Sequence, residues 1–207
     1  MARSDDPRGG DKSGRPTHRK ALIEAMRRVA LSKGFPGTTV DEICERAGVA
    51  KGSFYYHFQG KDDLGAAALS AYFEDLMAAL AGGEWGGVAD PVERLGAFIA
   101  HVADVCAGPV MEHGCLMGSF ALDLSESSPQ IRQQLSTMFS TLRHVVAGLI
   151  AEAARHRGRD LDAERLANQF LALIEGSIVL AKAHDDPAIP RQNVEMFAVV
   201  IASLLSG

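Results

Sequence analysis

Residues 34–64 read GFPGTTVDEICERAGVAKGSFYYHFQGKDDL, and this stretch decides the fold. Thr39 is followed three residues later by Glu42, a capping box that predicts the start of a short helix. Gly48 ends that helix, and a third helix is predicted to begin near Ala50. Two short helices joined by a tight glycine turn predict a helix-turn-helix.

Helical spacing of apolar residues continues on both sides of this stretch and predicts an all-α protein. No segment alternates as a strand does, and no internal repeat is visible. The glycine-rich GGEWGG after residue 81 predicts a loop, and the Gly-, Pro- and charge-rich residues 1–16 predict a disordered arm. The other helices are predicted over residues 17–33, 62–81, 91–106, 115–124, 129–155, 162–184 and 192–205.

Charge is divided unevenly along the 207 residues, whose formal net charge is -5. Residues 1–66 hold 12 Lys/Arg and 9 Asp/Glu, a balance of +3, whereas residues 67–207 hold 9 and 17, a balance of -8. A basic head and an acidic body indicate that only the head meets a polyanion. With 47% hydrophobic residues, the chain is long enough to bury a core without disulfides or metals.

Cysteine usage and hydropathy argue against a disulfide-stapled secreted protein and against a membrane-spanning protein. Cys44, Cys106 and Cys115 are odd in number and cannot form a fully paired disulfide framework. A secretory signal is a basic start followed by an apolar run, and the sequence has no such pattern. A cytoplasmic protein with reduced thiols is therefore predicted. The apolar run at 170–181 is interrupted by Glu175 and is too short for a bilayer core of about 30 Å, so no membrane span is expected.

The helix-turn-helix closely resembles the N-terminal domain of the TetR family of bacterial transcriptional regulators. The shared pattern contains Gly-Phe, Thr-Thr-Val-x-x-Ile, Ala-Gly-Val, Lys-Gly-Ser-Phe-Tyr-Tyr-His-Phe and Lys-x-x-Leu, and the resemblance covers residues 17–64. It implies a DNA-binding regulator, most often a homodimeric repressor of double-stranded operator DNA that a small-molecule inducer releases. In this family the rest of the chain, here residues 65–207, is a helical ligand-sensing and dimerisation domain.

The third helix is the element that can reach base edges in a major groove. Lys51 and Lys61 are expected to bind phosphates as point charges, and Tyr55 lies either in the groove or against the core. Physical reading and resemblance together give nine candidate DNA-binding residues: Thr38, Thr39, Lys51, Gly52, Ser53, Tyr55, Tyr56, His57 and Lys61.

Two apolar stripes in the last two predicted helices are the expected homodimer surface, because they exceed what one small domain needs. The alternative is that both stripes belong to the core of one chain. The stripes contain Leu166, Phe170, Leu173, Ile174, Ile178 and Ala181, followed by Val194, Phe197, Ala198, Ile201 and Leu205.

A second resemblance lies at residues 112–125, EHGCLMGSFALDLS. Its Gly-Cys-Leu element is similar to the branch of TetR regulators that respond to electrophiles and oxidants, where this cysteine reacts and a lysine of the penultimate helix lies near it. Cys115 and Lys182 occupy the matching places, with His113 as a third candidate, and a nearby cation or helix N-terminus favours a thiolate. The other interpretation is a structural Cys115 in a repressor that binds its inducer noncovalently. The candidate pocket residues are Met111, Met117, Phe120, Met138 and Phe170.

His113 and Cys115 also leave open an alternative to a regulator, namely an enzyme of the cysteine-dependent hydrolase class. No orienting carboxylate, oxyanion loop or cofactor motif accompanies them, so no catalytic residue or cofactor is predicted. His101, His113 and Cys115 lack the close spacing of a zinc site, so no metal is predicted either.

Overall fold

The computed structural model describes residues 17–124 and 126–206, and the elements within them are all helical, which confirms the all-α prediction. A 3₁₀ turn, Glu84–Gly87, lies inside the predicted GGEWGG loop. The arm predicted at residues 1–16 lies outside the described residues. The helices are α1 (His18–Lys33), α2 (Val40–Ala47), α3 (Lys51–His57), α4 (Lys61–Ala81), α5 (Pro91–Cys106), α6 (Leu116–Leu124), α7 (Pro129–His156), α8 (Ala163–His184) and α9 (Ile189–Ser206).

Local signals set most helix ends. The Thr39 hydroxyl accepts a hydrogen bond from the Glu42 backbone N–H at 3.3 Å, as the capping box predicts. The Glu42 carboxylate does not close the box, because it pairs with Lys33 of α1. Gly48 has φ 65°, a left-handed conformation that lets α3 begin soon after α2 ends.

The start of α9 differs from the prediction. The helix begins at Ile189, three residues before the predicted start, and contains Pro190 in its first turn. Proline is tolerated there because the first backbone N–H groups of a helix have no intrahelical partner. The predicted start at residue 192 was therefore three residues late.

The basic head and the body are joined by a continuous helix. Helices α1 to α3 pack around Ile43 and Phe54, both fully buried. Helix α4 continues across residue 64, where the sequence suggested a domain boundary, and packs against α1, α5 and α6. Leu69 and Tyr72 of α4 are buried in a core that extends through both parts.

By length and composition, α4 and α8 are apolar enough to cross a membrane. In this fold both are packed against other helices, α4 against α1, α5 and α6, and α8 against α7 and α9. Their apolar character is that of helices that contribute to a protein core.

Helix α6 connects the body to the head through Phe35 in the loop after α1. The Asp123 carboxylate, in the last turn of α6, accepts a hydrogen bond from the Phe35 backbone N–H at 2.8 Å. The Phe120 ring packs edge-on against the Phe35 ring, with 5.2 Å between centroids. Gly65 of α4 also packs against the Phe35 ring, because a Cβ at this glycine would lie 2.7 Å from Phe35 Cε2.

Candidate functional site

The helix-turn-helix holds α3 at a fixed angle on the surface of the head. Val49 is buried just before α3, and Phe54 is fully buried on its inner face. The Phe54 ring contacts the Phe58 ring, with 6.0 Å between centroids. These inward contacts fix which side of α3 faces solvent.

The outer face of α3 presents two large aromatic side chains. Tyr55 is 57% exposed and Tyr56 is 83% exposed, so neither belongs to the core. Gly52 lies beside them, and a Cβ there would meet nothing within 4 Å. Gly52 lies in the first turn of α3, so the surface around the two tyrosines is open at this point.

Polar groups on α3 already have partners on neighbouring helices. Lys51 Nζ forms an exposed ion pair with Asp41 of α2 at 2.7 Å, and this carboxylate raises the pKa of Lys51. The Ser53 hydroxyl lies 2.9 Å from Nδ1 of His18 on α1. Both contacts are exposed, so water or phosphate oxygens can replace them at little cost.

Two of the nine candidate DNA-binding residues point inward. Thr38 is 2% exposed, and its hydroxyl donates to the Gly34 carbonyl at 2.8 Å. Lys61 Nζ donates to the carbonyls of Phe35 and Thr38, each at 3.0 Å, and lies 4.4 Å from the Phe35 ring centroid. The ammonium therefore holds the loop after α1 in place, which differs from the expected free point charge.

The body encloses an apolar cavity of about 210 Å³ between α4, α5, α6, α7 and α8. Of the five candidate pocket residues, Met111, Met117 and Phe170 line it. Phe120 faces the head instead, and Met138 is buried in the core away from the cavity lining. An apolar cavity of about 150 Å³ holds benzene, so this one has room for a ring with a short substituent.

Glu175 of α8 is the carboxyl group on the described lining of this cavity. It lines the cavity together with Cys115, whose thiol is 6% exposed, and each of the two groups affects the pKa of the other. Burial raises the pKa of Cys115 strongly, and the neighbouring Glu175 raises it further. Burial also raises the pKa of Glu175 and brings that of Cys106 to about 11, so each of these groups favours its neutral form.

The start of α6 lowers the pKa of the Cys115 thiol less than the sequence predicts. The Gly118 backbone N–H donates to Cys115 Sγ at 3.4 Å, and this bond lowers the thiol pKa. Desolvation and the Glu175 carboxyl outweigh it. The sequence-based expectation of an activated thiol is therefore not what this geometry provides.

Lys182 and His113 line an open cleft next to the head, and neither of them lines the apolar cavity. Lys182 covers the backbone of Gly114, because a Cβ at Gly114 would lie 3.0 Å from Nζ. Lys182 therefore lies beside the residue that precedes Cys115, whereas Cys115 itself lines the inner cavity together with Glu175.

Comparisons with known families agree with both parts of the structure. Residues 22–73 match the family described as bacterial regulatory proteins, tetR family. Residues 91–197, which are more than half of the chain, match the family described as tetracyclin repressor-like, C-terminal domain. The chain belongs to the TetR family. It is a DNA-binding transcriptional regulator with the two-part architecture of that family.

Individual TetR-family relatives span nearly the whole chain. The HTH-type transcriptional repressor DhaR of Mycobacterium sp. (strain GP1) is 30% identical over 189 residues, which are 90% of this chain and 91% of DhaR. The transcriptional regulator AcuR of Cereibacter sphaeroides is 31% identical over 181 residues, 85% of this chain and 83% of AcuR. The crystal structure of regulatory protein TetR from Rhodobacter sphaeroides is 29% identical with a TM-score of 0.76, covering 88% of this chain and 97% of that one.

The apolar stripes expected to pair two TetR-family chains lie mostly inside one chain. Phe170 and Phe197, one from each stripe, stack with 4.7 Å between ring centroids and are buried. A neighbouring face of the same helices is open instead, and we name it the α8/α9 patch. Its members are 37–63% exposed: Val179, Leu180, Met196, Val199, Val200 and Leu204. Periodicity identified both helices as apolar but could not tell which face turns inward.

Two residues of this TetR-family site were not predicted. Glu175 had a signal, because it is the charged residue within the apolar run at 170–181. Asp123 had none, since its hydrogen bond reaches Phe35 across 88 positions of sequence. Within the described residues, no three His, Cys, Asp or Glu side chains group as metal ligands.

Proposed function

We propose that the protein is a cytoplasmic homodimeric repressor that binds a palindromic operator and leaves it when a small molecule occupies the cavity noncovalently. The position of α6 carries this proposal. Met117 near its start lines the cavity, while Phe120 and Asp123 near its end hold Phe35 of the head. A ligand that displaces the start of α6 therefore acts on the loop that leads into the helix-turn-helix.

The open face of α3 supports DNA binding by this head. Lys51, Gly52, Ser53, Tyr55, Tyr56 and His57 of α3, with Thr39 at the cap of α2, are proposed to contact the operator. Phosphate contacts by Lys51 and Thr39 would position the head, and contacts from the outer face of α3 would read base edges. Lys61 and Thr38 are proposed to act indirectly, by holding the loop through the contacts described above.

The α8/α9 patch supports dimerisation through the last two helices. A contiguous apolar face that is exposed in one chain is typical of a surface that a partner covers. Gly176 and Ala172 border a shallow groove beside Val179. A Cβ at Gly176 would meet nothing within 4 Å, so a second helix can approach closely there.

The burial of Cys115 supports noncovalent ligand binding over reaction with an electrophile. The thiolate is the nucleophile, and both burial and Glu175 disfavour it. The hydrolase alternative lacks similar support, because His113 lines the outer cleft whereas Cys115 lines the inner cavity.

Treatment of the folded protein with N-ethylmaleimide near neutral pH is expected to leave Cys115 unmodified while the same protein in urea reacts promptly. Peptide mass spectrometry after timed quenching measures this difference, and Cys115→Ser is the control for DNA release. Rapid labelling of Cys115 with loss of DNA binding that Cys115→Ser escapes would establish the electrophile-responsive repressor instead.

Selection from a random DNA duplex library tests the proposed function as a whole. Duplexes retained by the protein are expected to share two similar half-sites of opposite orientation, since a two-fold dimer presents two α3 helices to successive turns of the groove. Enriched duplexes without such symmetry, or no enrichment, would contradict the proposal.

A further inference from the structure

The chemistry of the cavity wall restricts the ligand to one class. Aliphatic and aromatic side chains dominate the wall and offer no hydrogen bonds to a polar ligand. The indole N–H of Trp85, which also lines the cavity, is already bonded to the Leu80 carbonyl at 2.9 Å. Two thiols and the Glu175 carboxyl are the other polar side-chain groups on the described lining.

Glu175 has no cation to balance it within the described residues. None of the ion pairs found there includes Glu175, and no Lys or Arg lines this cavity. The titratable groups that its charge affects are Tyr72 of α4, Cys106 of α5 and Cys115 before α6, and all three are acids. A half-buried carboxyl among acids and apolar side chains forms an ion pair only when a cation enters the cavity.

The carboxyl is also placed against the helix that leads to the head. A Cβ at Gly118, in the first turn of α6, would lie only 2.2 Å from Glu175 Oε2, so the glycine is what admits the carboxyl. A ligand that draws Glu175 into the cavity removes its contact with Cys115 and Gly118. The recognition of the ligand and the displacement of α6 are then the same event.

We propose that the inducer is a small apolar molecule with one cationic amino group, which forms an ion pair with Glu175. This inference rests on the proposed function, because it names the ligand of the same cavity. The apolar part fills the space lined by Met111, Met117 and Phe170, and the ammonium donates to the carboxylate. An anionic ligand finds no cation on the described apolar wall, and the Glu175 carboxyl repels it whenever that carboxyl is ionised.

Four compounds with the same ring and different head groups test this class: benzylamine, benzyl alcohol, toluene and benzoate. Calorimetric titration of the DNA-free protein is expected to give the highest affinity for benzylamine, lower affinity for benzyl alcohol and toluene, and none for benzoate. In Glu175→Gln, benzylamine is expected to bind about 10–100-fold more weakly, while toluene binds as before. Equal affinity for benzylamine and toluene in the wild type, or unchanged benzylamine affinity in Glu175→Gln, would overturn the inference.

A pH series tests whether Glu175→Gln is folded and whether the half-buried carboxyl is withdrawn from water. Because the pKa of Glu175 is raised in the folded state, the ionised carboxylate destabilises the fold, and this effect grows as the pH rises from the ordinary carboxyl pKa to the raised one. Glu175→Gln is therefore expected to melt above the wild type at about pH 8 and to lose this advantage towards about pH 4. A lower melting temperature at both pH values would contradict the burial on which the inference depends.

Release of a selected duplex by benzylamine, followed by fluorescence anisotropy, separates the two proposals. Binding without release would preserve the ligand class and contradict inducible release. Release of DNA by toluene or benzoate but not by benzylamine would preserve inducible release and overturn the ligand class.

Discussion

Replacing Tyr56 with alanine is expected to weaken operator binding by about 10²–10⁴-fold while the protein stays folded. Tyr56 is 83% exposed and contacts only the edge of the neighbouring His57 ring among the aromatic residues, so the head does not need it for packing. A hydrogen bond to a charged group such as phosphate contributes about 1.5–3 kcal/mol, and a dimer loses two of them. At about 1.4 kcal/mol for each factor of ten, the two losses give this range.

Fluorescence anisotropy with a duplex obtained by selection measures the affinity, and thermal unfolding checks the fold. Leu122→Ala is the matched control, because Leu122 is 85% exposed and lies on α6, away from α3. The control is expected to bind as the wild type does. Full affinity in Tyr56→Ala would remove this tyrosine from the proposed DNA-binding surface.

Replacing Val199 with aspartate is expected to convert the proposed dimer into a monomer and to weaken operator binding by about 10²–10⁴-fold. Val199 is 63% exposed in one chain and lies in the α8/α9 patch, so the carboxylate is tolerated in the monomer but is desolvated when two patches meet. When two heads are linked, binding of the second head to its half-site becomes intramolecular, which raises the affinity for the operator. The monomer loses this increase in affinity.

Multi-angle light scattering measures the mass of each species, and anisotropy measures its affinity for the selected duplex. Leu122→Asp places the same charge on an apolar position outside the patch that is 85% exposed, and it is expected to remain a dimer. If Val199→Asp kept twice the monomer mass, the α8/α9 patch would not be the interface. A monomer that bound the duplex with full affinity would contradict the two-headed mode of binding.

These two predictions differ in how much of them the sequence supplied. The sequence predicted that α3 carries the DNA-reading face and named Tyr56, because helix spacing and the position of Phe54 already define the two sides of a short helix. It also named α8 and α9 as the dimer helices. Most of the stripe that it selected is buried within one chain, because both helices are apolar on more than one side and α5 and α7 cover this side.

For the cavity, too, the sequence predicted one part of the arrangement and the tertiary structure decided the rest. The sequence placed Cys115 at the start of a helix, and the bond from the Gly118 N–H confirms that position. It paired the thiol with Lys182 by resemblance, whereas the fold brings Glu175 to the sulfur and leaves Lys182 outside. Glu175 and Lys182 lie about two turns apart on α8 and therefore on nearly the same face of the helix, so their positions along its axis, roughly 10 Å apart, decide which of them reaches the cavity.

The sequence by itself determined the helices, the helix-turn-helix and the separation of a basic head from an acidic body. These features depend on caps, glycine turns and apolar spacing, which act between residues within a few positions of each other. Only the tertiary structure decided that Lys61 supports a loop, that Glu175 faces Cys115 and that Asp123 ties α6 to Phe35. Such contacts join residues from different helices, and they are fixed by how whole helices rotate and pack, which no local pattern encodes.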